Sequence, residues 1–124
     1  MNAIELLRRQ HREIERLFAQ AKQGAGAGEL LDALALHAAI EEQQFYPATR
    51  AARSDDELRT ALDEHLAIKQ LMADLIACDP ADPQFDVRLD LLEAQVRQHV
   101  AEEETKLFPA VERLLAAPGL HAVE

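Results

Sequence analysis

Four segments of the sequence repeat apolar residues at spacings of three and four, which is the period of one face of an α-helix. Each stripe also contains a histidine near its middle, and two stripes contain a glutamate four residues after that histidine. Because an amphipathic helix must bury its apolar stripe, the pattern predicts four helices packed around one core. The predicted stripes are Ile4, Leu7, His11, Ile14 and Phe18; Leu30, Leu34, His37, Glu41 and Phe45; Leu58, Leu62, His65, Lys69 and Met72; and Phe85, Leu89, Leu92, Val96, His99, Glu103 and Leu107.

The breaks between these segments predict the helix boundaries. Caps are predicted at Asn2 (with Glu5), at Ser54 and at Asp82, and kinks at Pro47 and Pro109. The helices should span residues 2 to about 23, 29 to about 53, 54 to about 77, and 83 to about 116. Short loops favour antiparallel neighbours, so the expected fold is all-α, an antiparallel up-down-up-down four-helix bundle over residues 1–118 with a tail at 119–124.

Composition restricts the possible partners. The 124 residues include 23 acidic and 13 basic side chains, a net charge of −10, which predicts neither nucleic acid nor a membrane surface as a partner. The single cysteine, Cys78, cannot form an internal disulfide. No segment resembles a secretory leader or a membrane span, so we expect a cytoplasmic protein.

The histidines and glutamates of the stripes should meet at one level of the bundle. At about 1.5 Å of rise per residue, their distances from the connecting loops agree to within about one turn. One buried histidine is most simply interpreted as a core residue, but this interpretation weakens when the feature recurs in every helix. Buried without partners, such groups cost several kcal/mol each, against a total stability of roughly 5–15 kcal/mol. The fifth histidine, His121, lies in the tail.

An internal repeat is a second indication that these residues form a common site. Residues 37–47 align with residues 99–109 without a gap, and share His, Ala, Glu, Glu and Pro, with an apolar pair before the proline. A weaker similarity links residues 11–17 with residues 65–71. The chain is therefore predicted to contain two helical hairpins of one plan, with two similar half-sites between them.

In this pattern the chain resembles hemerythrin-like, or HHE cation-binding, domains over residues 2–116. The resemblance implies two iron ions in an oxo- or hydroxo-bridged di-iron centre, with histidines as terminal ligands and glutamates as bridges. Imidazole and carboxylate without thiolate would also suit manganese or zinc. The implied metal ligands are His11, His37, Glu41, His65, His99 and Glu103.

Two positions depart from the oxygen carriers of that family. Lys69 replaces their second histidine in the third helix, and should pair with a bridging glutamate or with Glu15, or extend outward into solvent. Their last carboxylate lies five residues after the final histidine, at Glu104 here. Internal symmetry with Glu41 instead favours Glu103, with Glu104 as the substitute.

Three functions are compatible with such a centre. The leading prediction is a metal-binding protein, rather than an enzyme, that binds or senses dioxygen, another small diatomic ligand or iron. The alternatives are a di-iron oxidase, peroxidase or nitric oxide scavenger supplied with electrons by another molecule, and a bundle that uses metal only to hold its shape. Tyr46 is interpreted as a redox-active phenol or, more simply, as a core residue. The identity of a protein partner is left open.

Overall fold

The computed structural model describes residues 2–116, in which all regular structure is helical and no strand occurs. Four long helical rods account for it, which confirms the predicted all-α bundle. The first rod is α1 (Ala3–Lys22) and the third is α4 (Asp55–Ile76). The second comprises α2 (Gly28–Ile40), a π-helical turn (Glu41–Phe45), α3 (Tyr46–Ala48) and a 3₁₀ turn (Arg50–Ala52); the fourth comprises α5 (Gln84–Glu102), a π-helical turn (Glu103–Leu107) and α6 (Phe108–Ala116).

Each rod packs against two neighbours around a shared interior. Helix α1 contacts α2 and α5, and helix α4 contacts the same two helices. The turn after α1 depends on Gly24 and Gly26, whose φ angles of 91° and 86° lie in the left-handed region that favours glycine. The predicted stop at Pro118, the tail and His121 lie outside the described residues.

The predicted caps at Asn2 and Ser54 form, but the N-cap of the fourth rod is Pro83 and not the predicted Asp82. The Glu5 N–H donates to Asn2 Oδ1 at 2.9 Å, and Ser54 forms a reciprocal capping box with Glu57. Asp82 Oδ1 accepts from the Gln84 N–H at 2.8 Å, but α5 begins at Gln84, one residue later than predicted. The caps hold the rod ends at the places that the sequence indicates.

Both prolines produce a widened turn on their N-terminal side. The Tyr46 N–H donates to the Glu41 carbonyl, and the Phe108 N–H to the Glu103 carbonyl, each five residues back instead of four. Proline lacks an N–H and its ring crowds the carbonyl four residues earlier, and a π-helical turn relieves this conflict. The two widened turns begin at the two glutamates that the sequence marked as ligands.

The apolar interior is divided into two clusters. In every rod, the predicted ligand histidine lies between residues of one cluster and residues of the other. The large core cluster contains Ile14, Leu17, Phe18, Ala21, Leu30, Leu34, Ile68, Leu75, Phe85, Leu89, Leu92 and Val96. The small core cluster contains Ile4, Leu7, Phe45, Tyr46, Ala61, Leu107, Phe108 and Val111.

The stripe predicted for the third helix was wrong in part. Leu62 is 41% exposed, and the buried residues of α4 are Ala61, His65, Ile68 and Leu75. Two helical stripes pass through His65. One contains Leu62 and Lys69, and the other contains Ala61 and Ile68. Burial of the first stripe would bury Lys69. An unpaired ammonium in the core is costly, so the helix turns its Ile68 side inward instead.

Candidate metal centre

Six side chains form a polar layer between the two core clusters. They are the four histidines and two glutamates predicted as ligands, and each is at most 6% exposed. On one side of the layer, His11 Nε2 lies 3.1 Å from Glu103 Oε1. His37 Nε2 lies 3.3 Å from Glu41 Oε1 and 3.9 Å from Glu103 Oε1. These four residues are called the first half-site.

The second half-site contains the other two histidines and the same two glutamates. His65 Nε2 lies 3.0 Å from Glu41 Oε1. His99 Nε2 lies 3.6 Å from Glu41 Oε1 and 3.3 Å from Glu103 Oε2. In each half-site, the four possible ligand atoms lie within 4.8 Å of one another. The structure thus brings all six residues together as two groups that share both carboxylates.

The donor set fits cations. Two carboxylates and four imidazoles without thiolate suit iron, manganese or zinc. Among the described residues, Glu41 Oε2 is buried and has no hydrogen-bond partner. Unpartnered buried polar atoms are rare in folded proteins and call for a group to satisfy them. A cation between the shared carboxylates would do so.

A second set of oxygen atoms fixes the orientation of all four imidazoles. The distances to Nδ1 are 2.7 Å for His11–Glu104, His37–Gln10 and His65–Glu42, and 3.0 Å for His99–Glu64. These oxygens accept hydrogen bonds, so Nδ1 carries the proton. The Nε2 atom then faces the centre with an electron pair that can bind a metal ion.

Sequence reasoning missed Gln10, Glu42 and Glu64. A signal for them existed, because each lies one residue before or after a predicted ligand.

Lys69 forms neither of the ion pairs predicted for it, with a bridging glutamate or with Glu15. Its Nζ lies 3.0 Å from Glu42 Oε1 and 2.9 Å from Glu42 Oε2, and its side chain is half exposed. Lys69 therefore contacts the carboxylate that orients His65, and contacts neither a shared glutamate nor Glu15. Arg12 likewise contacts the carboxylate that orients His11 in the first half-site, because its Nη2 donates to Glu104 Oε1 at 2.6 Å.

The structure separates Glu103 from Glu104. Glu103 is 2% exposed and lies among the histidine Nε2 atoms. Glu104, whose side chain is 24% exposed, reaches the Nδ1 atom of His11 on the far side of the ring. Glu103, which internal symmetry favours, is therefore the one of the two that lies inside the layer.

The charges of the layer shift its pKa values. Burial opposes a charge on His37, but hydrogen bonds to Glu103 and Glu41 raise its pKa to about 9. The same balance raises the pKa of His99 to about 11. Burial also opposes a charge on Glu41, yet hydrogen bonds from His37 and His65 hold its pKa below the ordinary value. Without metal, the raised pKa values favour charged imidazoliums at His37 and His99, beside the shared carboxylates.

Tyr46 lies inside the second half-site. Its side chain is buried, and its hydroxyl donates to Glu103 Oε2 at 2.7 Å. Burial, followed by the charges of Glu41 and Glu103, raises the pKa of Tyr46, so the phenol keeps its proton in the metal-free protein. The interpretation of Tyr46 as a core residue is right about its burial but misses this polar contact.

Comparison with known proteins identifies the family. The family model described as the hemerythrin HHE cation binding domain matches residues 2–111. The chain belongs to the hemerythrin HHE cation-binding family. This hemerythrin-like chain is also similar to a protein named DNA nickase from Nostoc sp. strain PCC 7120, with 28% identity over 124 residues. The match covers 94% of the hemerythrin-like chain but only 35% of that relative.

No solved structure matches the hemerythrin-like chain. Within residues 2–116, no helix combines the length and the apolar run that crossing a membrane requires.

Proposed function

We propose that the protein holds two iron ions between its four helices and binds or senses dioxygen or another small diatomic ligand there. The observation that carries this proposal is the pair of buried four-residue groups that share Glu41 and Glu103. Two cations bound at these groups would neutralise both carboxylates at once. A single cation would leave two histidines of the layer without a metal.

The proposed ligand roles follow from the distances. The histidines His11 and His37 would hold one ion and His65 and His99 the other, with both glutamates bridging. When bound, two adjacent iron ions can supply two electrons to a ligand. Two imidazoles and two carboxylates would offer each ion four protein donors, and an external ligand could add to them.

A cavity beside the polar layer supports the proposal that a small apolar ligand binds there. It has a volume of about 270 Å³ and is lined by the apolar side chains of Ile14, Leu34 and Ile68 and by His37 and His65. A dioxygen or nitric oxide molecule fits this volume easily, and apolar walls favour uncharged molecules over ions.

We also propose that the rods run up-down-up-down and that the second hairpin repeats the first. Three paired features support a repeat. The residues that accept from Nδ1 precede a histidine (Gln10, Glu64) or follow a shared glutamate (Glu42, Glu104), and the π-helical turns precede Pro47 and Pro109.

We do not propose nucleic acid as a partner of this protein. The relative named DNA nickase is nearly three times as long as the matched region, and the activity in its name need not belong to that region. A net charge of −10 also opposes binding to a phosphate backbone. Incubation of the iron-loaded protein with supercoiled plasmid should leave the plasmid intact, whereas nicking that requires Glu41 would reverse this conclusion.

The diatomic proposal is tested by loading the protein with iron(II) without air and then admitting oxygen. We expect new visible absorption bands that disappear again when oxygen is removed. Bands that form irreversibly would favour the alternative of a di-iron redox enzyme. Absence of any band in an iron-loaded sample would contradict oxygen binding. The variant Glu41→Gln should lose the bands, and the surface variant Glu112→Gln should keep them.

A further inference from the structure

The hydroxyl of Tyr46 lies at the meeting point of the four ligand atoms of the second half-site. Its oxygen is 2.7 Å from Glu103 Oε2, 3.1 Å from His65 Nε2, 3.2 Å from Glu41 Oε1 and 3.3 Å from His99 Nε2. Metal ions bind such donors at about 2.0–2.2 Å. A cation held by these donors must therefore contact the phenolic oxygen or displace the ring.

Displacement of the ring is opposed by its surroundings. Tyr46 is 3% exposed and belongs to the small core cluster, with the His65 ring at a centroid distance of 5.4 Å. The Arg53 guanidinium carbon lies 4.2 Å from the centre of the Tyr46 ring. Moving the phenol out would open a void in a packed cluster and break this cation–π contact.

Among residues 2–116, the first half-site has no equivalent group. Phe108 precedes Pro109 just as Tyr46 precedes Pro47, and both follow a π-helical turn. The Phe108 ring stacks on the His11 ring, with centroids 5.7 Å apart and planes 11° apart, and has no oxygen to offer. The two half-sites therefore differ by one oxygen atom.

We propose that the phenolic oxygen of Tyr46 is a fifth protein ligand of the metal ion in the second half-site, and that the ion in the first half-site has only four. On binding, the cation replaces the phenolic proton, which leaves to solvent. The cation also neutralises the carboxylates that hold this proton on Tyr46 in the metal-free protein, and the Arg53 charge favours the phenolate that results. This inference rests on the proposed two-metal centre.

Unequal coordination has a consequence for function. The ion with five protein donors has fewer open positions than the ion with four. An external diatomic ligand should therefore bind to the ion of the first half-site, on the side of His37 that lines the cavity.

The composition of the chain makes the test direct. Tyr46 is the only tyrosine, and tryptophan is absent. Any tyrosinate signal in the full-length protein must come from Tyr46. Titration with colourless zinc should produce the ultraviolet difference band of one tyrosinate. The iron(III) form should show a visible phenolate-to-iron band with tyrosine ring modes in its resonance Raman spectrum.

The variant Tyr46→Phe keeps the ring and removes only the oxygen. We expect it to bind two ions, to lose the tyrosinate signals, and to show one of its two binding steps weakened tenfold or more with the other unchanged. The neighbouring variant Phe45→Leu, which disturbs the same cluster, should keep the tyrosinate signals.

Two negative results are distinguishable. Binding of two ions by the wild-type protein without any tyrosinate signal would overturn the role of Tyr46 and leave the proposed centre intact. Failure to bind metal at all would overturn the centre itself, and the Tyr46 proposal with it.

Discussion

The large core cluster and the polar layer lie on the same helices but are stabilised in different ways. Leu89 and Leu92 of α5 are almost completely buried among other apolar side chains, so their burial is favourable by itself. Two turns further along, His99 and Glu103 are buried nearly as deeply. Their burial is favourable only when partners compensate the lost solvation. In α5, helical periodicity indicates which residues are buried, and residue type indicates which of them need a compensating partner.

Removal of metal should have the largest effect, and it should act on the polar layer alone. A ligand that binds only the folded state stabilises it by about 4 kcal/mol when its concentration is a thousand times its Kd. We expect a chelator to lower the free energy of unfolding by about this amount for each ion lost. Urea unfolding with and without chelator measures it, and equal midpoints would indicate that the layer is stable without cations.

The next effect concerns the large core cluster. Leu92 is fully buried, so Leu92→Ala should lower the free energy of unfolding by about 2–5 kcal/mol through lost apolar contact and the cavity left behind. The adjacent Leu91 is 54% exposed, and Leu91→Ala is the matched control with little expected effect. Metal content should stay at its wild-type value in both variants. A loss of metal in Leu92→Ala would mean that the two regions are not independent.

A smaller effect is expected at the oxygens behind the imidazoles. Glu104→Ala should weaken metal binding at the first half-site and Glu42→Ala at the second, each by about 10–100-fold, because His11 or His65 loses its orienting partner. Isothermal titration with zinc measures both affinities. Glu112→Ala, which removes only a surface pair with Arg8, is the control. Equal losses in all three variants would argue for a general charge effect.

The last effect is a dependence of folding stability on pH in the metal-free protein. The pKa of His37 is raised from 6.5 to about 9, so its stabilising contribution is complete below pH 6.5 and is lost as the pH rises through 9. The pKa of Glu41 is lowered, so its contribution is lost only as the pH falls below 4.5 toward the lowered value. Urea unfolding across this range should show the decline above 6.5 in wild type and a smaller decline in His37→Gln. Identical profiles would contradict the assigned charges.

Much of this molecule follows from local sequence. The caps at Asn2 and Ser54 form because a side-chain oxygen and a backbone N–H three residues apart are enough to define them. The convergence of His11 and Glu103 also follows from counting residues between loops, because helical rise is constant.

Other features depend on contacts between helices, which periodicity does not specify. Two stripes of α4 share His65, and only packing decides that Ile68 faces inward and Leu62 does not. The ion pair of Lys69 with Glu42 joins the third rod to the second. Tyr46 directly follows a π-helical turn, and its hydroxyl contacts the centre. Each requires the rotation of one rod relative to another.

Counting the bound ions tests the central claim most directly. Anaerobic titration of the metal-free protein with iron(II), followed by desalting and metal analysis, should give two ions per chain. Because Glu41 is shared, Glu41→Leu should lose or greatly weaken both ions together. Wild-type protein that binds one ion or none, or a Glu41→Leu variant that keeps one ion at full affinity, would contradict a centre of two cations joined by shared carboxylates.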